Sequence, residues 1–203
     1  MPGRVYQALF EVAVEQYGYL TAKDARELGF GPGHLVDLAR RGDLDRVAHG
    51  VYRFKVVPVT MRDQLMEAVL WPRGVGVISH ATALDLWDLC DVNPAKVHVT
   101  VPKSQRIRRK TPPAYEVHVR DLDATDITRS EGITVVTVRR AILDGITAHM
   151  GGHLIDQAVY TAIGQGLLTT AEQTEITAAR TDRVETPARP QAVQATIDAI
   201  AQA

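Results

Sequence analysis

Basic and unusually small residues cluster in the first 55 positions of the 203-residue sequence. Gly33 and His34 stand at the start of a predicted helix, where the lack of bulk lets a ligand approach the backbone closely. Arginine and histidine side chains donate hydrogen bonds to phosphate oxygens and to the edges of bases. We therefore predict a nucleic-acid interface in this segment. Its expected residues are Lys23, Gly33, His34, Arg40, Arg41, Arg46, His49 and Arg53.

Arg40 and Arg41 also admit a purely structural interpretation. Both lie in the last turn of the predicted helix, where cations offset the helix dipole. Three acids, Asp37, Asp43 and Asp45, lower the local potential, so this segment alone is expected to bind nucleic acid weakly. Such a module can also serve only for protein contacts, and the sequence leaves that alternative open.

A second basic group lies in the segment KSQRIRRKTPP, between two predicted strands. It contains Arg106, Arg108, Arg109 and Lys110 with no intervening acid. Residues 96–120 carry seven basic residues and a single acid, although the whole chain has a net charge of −1. We predict the tip of a β-hairpin that contacts DNA or an acidic partner, the alternative being a merely solvated turn.

The remaining candidates for chemistry lack the partners that a reaction or a metal would need. His80 has no neighbouring nucleophile or acid in the sequence and is interpreted as a structural histidine near a helix start. His149 and His153 have the spacing of a helical ligand pair, but two intervening glycines interrupt the helix. Cys90 is the only cysteine, which excludes an internal disulfide and a cysteine zinc site. No phosphate-binding, kinase or hydrolase motif occurs, so we predict no catalytic, cofactor-binding or metal-binding residues.

The elements that must position the basic residues can be predicted from local signals. Apolar residues at helical spacing predict a first helix over residues 3–16. Thr21 is a good N-cap for a short second helix, with Asp24 at the third helical position. Pro32 is expected as the first residue of a third helix, which Gly42 closes.

Two strands are predicted next, in LDRVAHGVYRFKVV, on either side of a His49-Gly50 turn. Two short helices joined by a glycine turn are typical of a helix-turn-helix. With the hairpin added, the pattern predicts a winged helix-turn-helix over residues 1–57. In that fold the third helix enters the major groove and its N-terminal residues reach base edges.

Residues 58–203 are expected to form a mixed α/β domain that ends in helices, which makes the whole chain α+β. A helix is predicted over residues 61–70, and another begins in ISHATALDLWDL with Ser79 as its N-cap. KVHVTVP and AYEVHVRDL alternate like half-buried strands, and GITVVTVRRAILDGI predicts a strand that runs into a helix. Residues 153–180 are predicted to be helical, and a last small amphipathic helix follows the linker ETPARP.

The sequence favours a cytoplasmic location. No segment approaches the roughly 20 consecutive apolar residues that a membrane span requires. The N-terminus, MPGRVYQALFEVAVEQ, alternates charged with apolar residues and lacks the continuous hydrophobic stretch of a signal peptide.

Four blocks of the sequence, taken in order, resemble a known family. They are YLTAKDARELGFGPGHLVDLARRGDLDRVAHGVYRF, ISHATALDLWDL, KVHVTVP and GITVVTVRRAILDGI, which together span residues 19 to about 146. The series resembles the AbiEi antitoxins of type IV toxin–antitoxin systems, which act in abortive infection. The resemblance implies a winged-helix domain that represses the operon's own promoter and a mixed α/β domain needed for antitoxicity.

The resemblance also implies a functional partner, a nucleotidyltransferase-like toxin, without requiring a stable complex with it. The leading hypothesis is therefore an antitoxin that represses its own operon by binding promoter DNA, as a monomer on repeated sites, with no cofactor. One alternative is a winged-helix transcriptional regulator with a sensing C-terminal domain. Another is an enzymatic antitoxin that modifies the toxin by kinase-like phosphotransfer.

Overall fold

The structure, a computed structural model, describes residues 3–105, 107 and 110–185. Within these residues it contains helices and two β-sheets, which confirms the predicted mixture of α and β structure. The predicted last helix after ETPARP and the predicted contact residues Arg106, Arg108 and Arg109 lie outside the described residues. No helix in the described ranges is both long enough and apolar enough to cross a membrane.

The N-terminal part contains three helices and a three-stranded antiparallel sheet with the strand order β1-β3-β2. The β2–β3 hairpin confirms the predicted turn at His49-Gly50. The three-residue strand β1 was not predicted, because so short a segment shows no alternating pattern. The elements are α1 (Arg4–Val14), β1 (Tyr19–Thr21), α2 (Ala22–Glu27), α3 (Gly33–Arg41), β2 (Leu44–Ala48) and β3 (Val51–Phe54).

Local signals fix the ends of the two short helices. The Thr21 hydroxyl accepts hydrogen bonds from the backbone N–H groups of Lys23 and Asp24, and the Asp24 carboxylate accepts from the Thr21 N–H at 2.6 Å. This reciprocal capping box confirms Thr21 as the N-cap of α2. Gly42 closes α3 in the left-handed region, at φ 90°, as predicted. Pro32 is the N-cap of α3 rather than its first helical residue.

The remaining described residues form a five-stranded sheet covered by helices, with the strand order β6-β5-β4-β8-β7. The helix predicted over 61–70, the strand-to-helix segment and the helical structure predicted over 153–180 are present. The elements are α4 (Asp63–Leu70), β4 (Val77–Ile78), α5 (His80–Leu86), β5 (Val97–Val101), β6 (Tyr115–Val119), β7 (Ile127–Ser130), β8 (Ile133–Val136), α6 (Val138–Thr147), α7 (Gly152–Gly164) and α8 (Thr170–Glu185).

Strands β5 and β6 were expected to form a hairpin, and this prediction is wrong. They pair in parallel, with Val97 beside Tyr115 and Val101 beside Val119. A parallel pair cannot be joined by a tight turn and needs a crossover of about a dozen residues. Residues 102–114 supply that crossover. The basic segment is therefore part of a crossover between parallel strands, not the tip of a hairpin.

The parallel register of β5 and β6 gives their sheet one apolar and one polar face. Side chains alternate along a strand, so residues two apart share a face. Val97, Val99 and Val101 are buried on one face. The other face carries His98, Thr100, Glu116, His118 and Arg120, and contacts between α5 and β5 place helix α5 near it. Polar side chains in such a row need hydrogen-bond partners where they are buried.

The N-terminal part is held to the rest of the protein by half-buried and exposed polar contacts. Tyr19 of β1 and Tyr115 of β6 both donate their hydroxyls to the Glu67 carboxylate of α4, at 3.3 and 3.0 Å. Tyr17 donates to the backbone carbonyl of Glu131 at 2.8 Å. These contacts fix the position of the three-helix region relative to α4.

Candidate nucleic-acid interface

Helix α3 has one buried and one exposed face. Leu35 and Leu38 enter a core made by α1, α2 and the three-stranded sheet, and both are 5% exposed or less. His34, Arg40 and Arg41 are all exposed. His34 and Arg41 flank Leu38 in a cleft beside α1, and Arg40 lies on the side away from the leucines. The predicted contact residues of this helix are therefore accessible to a ligand.

Gly33 begins α3 without any internal need for a glycine. Its φ lies outside the left-handed region, and a Cβ added there would meet no atom within 4 Å. His34 follows it and packs its ring edge against Phe30, at 5.8 Å between ring centroids. The start of α3 therefore presents backbone without a side chain at Gly33, and the His34 ring lies beside it.

Acidic neighbours reduce the positive charge around the exposed residues of α3. Arg40 forms an ion pair with Asp37 at 3.3 Å, and the two side chains are 75% and 51% exposed. Lys55 pairs in the same way with Asp45 on the neighbouring strand, at 3.3 Å. Exposed pairs of this kind contribute little free energy, so phosphate oxygens can replace the carboxylates as partners of the cations.

The structure brings Lys23 of α2 and His49 of the hairpin turn into one groove. Pairing of β1 with β3 places the start of α2 against the turn, where the Ala22 N–H donates to the Gly50 carbonyl at 2.9 Å. The cavity between them has a volume of about 290 Å³, and its lining includes no acidic side chain. We call it the basic groove; its four basic lining residues are Lys23, Arg26, His49 and Arg73.

Two residues of the basic groove, Arg26 and Arg73, were not among the predicted contacts. Arg26 lies one turn after Lys23 on α2, a spacing that the sequence shows. Arg73 comes from the loop after α4, and only the tertiary fold brings it to the hairpin. Arg46 lies on the same hairpin and donates to His49 Nδ1 at 3.3 Å.

Arg53 is placed differently from the prediction. Its guanidinium donates from Nε to the Asp63 carboxylate at 2.8 Å, and from Nη2 to the carbonyls of Val57 and Pro58. The two side chains of the ion pair are only 11% and 7% exposed. Because these donors are used inside the protein, we omit Arg53 from the proposed DNA contacts. In the second basic segment, Lys110 is exposed.

A cluster of three histidines, not predicted from the sequence, lies on the polar face of the larger sheet. The Nδ1 atom of His98 is 3.0 Å from Nε2 of His118. The His80 ring, at the start of α5, stacks on His118 with 3.6 Å between centroids and a 12° angle between planes. One ring nitrogen from each residue lies within 4.8 Å of the other two.

The surroundings of His80 correct the prediction that it has no acid beside it. Its Nδ1 is 2.9 Å from the Ser79 hydroxyl and 3.7 Å from the Asp144 carboxylate of α6. Ser79 stands at the N-cap position but makes no side-chain cap, because its oxygen is engaged by His80 and by Thr100. Burial lowers the pKa of His80 to about 4, while Asp144 acts in the opposite direction.

Asp144 is fully buried and paired with two arginines. Arg120 donates to both carboxylate oxygens, at 2.9 and 3.0 Å, and Arg140 donates to one of them from Nε at 2.8 Å. Burial raises the pKa of this carboxyl, but the two arginines outweigh burial and hold the pKa below its usual range. Burial also lowers the pKa of His98 and His118, which favours the neutral form of these imidazoles.

One sequence signal pointed to the cluster. The triplet Val-His-Val occurs in both β5 and β6, and alternation puts each histidine on the face opposite its flanking valines. The link to His80 is a tertiary contact with no local signal. His149 and His153 are separated by the break between α6 and α7, as predicted.

The fold defines a class of protein that combines an N-terminal helix-turn-helix region with mixed α and β structure. Residues 7–55, about a quarter of the chain, match the family described as "Transcriptional regulator, AbiEi antitoxin". This match confirms the predicted resemblance to the AbiEi antitoxins over residues 7–55.

A solved structure extends the likeness beyond that segment. The chain is similar to the RV2827C protein from Mycobacterium tuberculosis, with a TM-score of 0.53 and 12% identity. The similarity covers 90% of this chain and 75% of that chain, and at this identity it concerns the fold alone. No curated protein matches the sequence.

Proposed function

We propose that the protein is an antitoxin that also represses transcription of its own operon. The observation that carries the proposal is the exposed face of α3 beside a basic hairpin, in a segment that matches an antitoxin regulator family. Residues 1–57 act in this proposal as a winged helix-turn-helix, with the β2–β3 hairpin as the wing. Its ligand is promoter DNA.

The docking geometry follows from the two faces of α3. The helix enters the major groove with its N-terminal end, Gly33 and His34, toward the base edges. Arg40 and Arg41, at the far end, meet phosphates. Arg46 on the wing and the side chains of the basic groove meet the flanking backbone. Because acids lie among these cations, each contact is weak and several are needed for useful affinity.

The C-terminal part, residues 58–203, carries the antitoxin activity in this proposal. Its target is a nucleotidyltransferase-like toxin in the cytoplasm, and the family description supports antitoxicity as such. In this proposal the basic crossover segment, with Arg106, Arg108, Arg109 and Lys110, contacts an acidic surface of that partner or DNA. The two activities are then separable along the chain.

Because repression and antitoxicity are assigned to different parts of the chain, the two activities can be tested in parallel. The protein is expressed in a bacterial host with a reporter under the DNA upstream of its gene, and in parallel with the toxin encoded beside it. We expect Arg40→Ala with Arg41→Ala to relieve repression while leaving rescue from the toxin intact. Wild-type protein that neither represses the reporter nor rescues growth would contradict the proposal.

A mixed outcome is also informative. Repression without rescue from any adjacent toxin would overturn the antitoxin assignment and favour a regulator with a sensing C-terminal domain. Rescue that leaves the toxin covalently modified, seen as a mass increase, would favour an enzymatic antitoxin over one that acts by binding.

A further inference from the structure

We propose that His80, His98 and His118 bind a divalent transition-metal ion of the zinc class. The three residues come from the start of α5 and from two neighbouring parallel strands, so the fold itself assembles them. Neutral imidazoles are good ligands for zinc, cobalt, nickel and copper, whereas magnesium and calcium prefer oxygen. This site is independent of the proposed DNA interface.

The distances between ring nitrogens suit such an ion. Two nitrogens bound to one tetrahedral zinc, each at about 2.0–2.1 Å, lie about 3.3 Å apart. Nδ1 of His98 and Nε2 of His118 are 3.0 Å apart, already within a few tenths of an ångström of that separation. The third histidine contributes a nitrogen within 4.8 Å of both, so all three can reach one ion through side-chain rotation.

The neighbours of His80 orient its ring for this role. Ser79 and Asp144 both lie on the Nδ1 side, at 2.9 and 3.7 Å, so Nε2 is the ring nitrogen left to bind a metal. A carboxylate or hydroxyl behind a metal-binding histidine fixes the ring and strengthens the ligand. Asp144 is itself fixed by Arg120 and Arg140, so this support is rigid.

Coordination requires the stacked rings to turn. The imidazoles of His80 and His118 lie 12° from parallel, so their lone pairs converge only after rotation about χ2. His98 and His118 are half-buried rather than enclosed, and they adjoin the exposed Glu116, so this rotation does not require repacking of the apolar core. Three protein ligands leave a fourth position for water, as in open zinc sites.

Metal titration of the full-length, untagged protein tests the proposal. Zn²⁺ is added to metal-free protein in a calorimeter, and Co²⁺ is added in parallel to follow the visible absorption that tetrahedral coordination produces. The variants are His98→Gln and His118→Gln, which keep a polar side chain on the half-buried face. The matched control is His153→Gln, an exposed histidine on α7. Circular dichroism checks that each variant is folded.

We expect one equivalent of metal with micromolar or tighter affinity, at least about 100-fold weaker binding in His98→Gln and in His118→Gln, and unchanged binding in the control. Saturating zinc should raise the melting temperature of the wild type by about 5–10 °C, and that of the two variants by much less. Absence of binding by wild-type protein, or unchanged binding by the folded His98→Gln and His118→Gln variants, would overturn the proposal.

Discussion

Nε of Arg53 lies 2.8 Å from Oδ2 of Asp63, and this ion pair joins strand β3 to helix α4. Both side chains are nearly buried, and the same guanidinium satisfies two backbone carbonyls in the connection between the two parts of the chain. Because of this ion pair, Arg53 stabilises the fold although it is a basic residue on the hairpin. It also fixes the hairpin relative to Arg73, which follows α4.

Arg53→Met should destabilise the protein by about 3 kcal/mol, because it leaves the Asp63 carboxylate buried without its cation. Chemical denaturation measures the change. The matched control is Lys55→Met, which removes a cation from an exposed pair and should cost less than about 0.5 kcal/mol. A loss of DNA affinity by folded Arg53→Met protein, with stability unchanged, would place Arg53 on the phosphate backbone after all.

Arg40→Ala with Arg41→Ala should weaken promoter binding without unfolding the protein, since both side chains are exposed. If each contacts a phosphate, the slope of log affinity against log salt should fall by about 0.9 per contact. A fluorescence titration at four salt concentrations measures it. An unchanged slope, accompanied by a lower melting temperature, would mean that the two arginines only complement the C-terminus of α3.

His34→Ala should relax sequence choice, because the start of α3 faces base edges in the proposed docking geometry. We expect affinity for the promoter duplex to fall by about 5-fold or more, on the order of 1–3 kcal/mol, with little change on a scrambled duplex. Equal losses on the two duplexes would show that His34 reads no base.

Arg73→Ala should weaken binding to both duplexes alike, because the basic groove has no acidic lining and suits phosphate. The expected loss is about one unit of salt slope, as for a single phosphate contact. Arg180→Ala, on the remote helix α8, is the matched control and should leave binding unchanged. If Arg73→Ala behaves like this control, the basic groove lies outside the DNA footprint.

The basic crossover segment gives a further prediction. Replacing Arg106, Arg108, Arg109 and Lys110 with Ser should lower DNA affinity by about 10-fold or more, on the order of 1.4 kcal/mol. Loss of toxin rescue with DNA binding intact would assign the segment to antitoxicity. If both activities persist, the basic crossover segment is only a solvated connection between the strands.

Local chemistry made much of the N-terminal part predictable. The capping box of Thr21 and Asp24 acts within three residues, and Gly42 and Gly50 adopt the left-handed conformations that their positions require. The direction of β5 against β6 was not predictable in the same way, because the alternation of a strand is identical in parallel and antiparallel pairs. The length of the connection, residues 102–114, was the signal that favoured a crossover.

The candidate sites divide along the same line. His34, Arg40 and Arg41 could be found from one amphipathic helix, because the leucines that enter the core leave these side chains exposed. Arg73 and the histidine cluster depend on contacts between distant segments. The structural role of Arg53 depends on its ion pair with Asp63 of helix α4. The sequence around Arg53 alone gives no signal of that contact.

The central claim, that the α3 face recognises a specific DNA sequence, is tested most directly by one titration. Fluorescence anisotropy of the wild-type protein is measured on a duplex from upstream of its gene and on a scrambled duplex of equal length, at physiological salt. We predict at least about 10³-fold tighter binding to the upstream duplex, the lower end of the range for specific regulators. Equal affinity for the two duplexes, or no binding to either, would contradict the account.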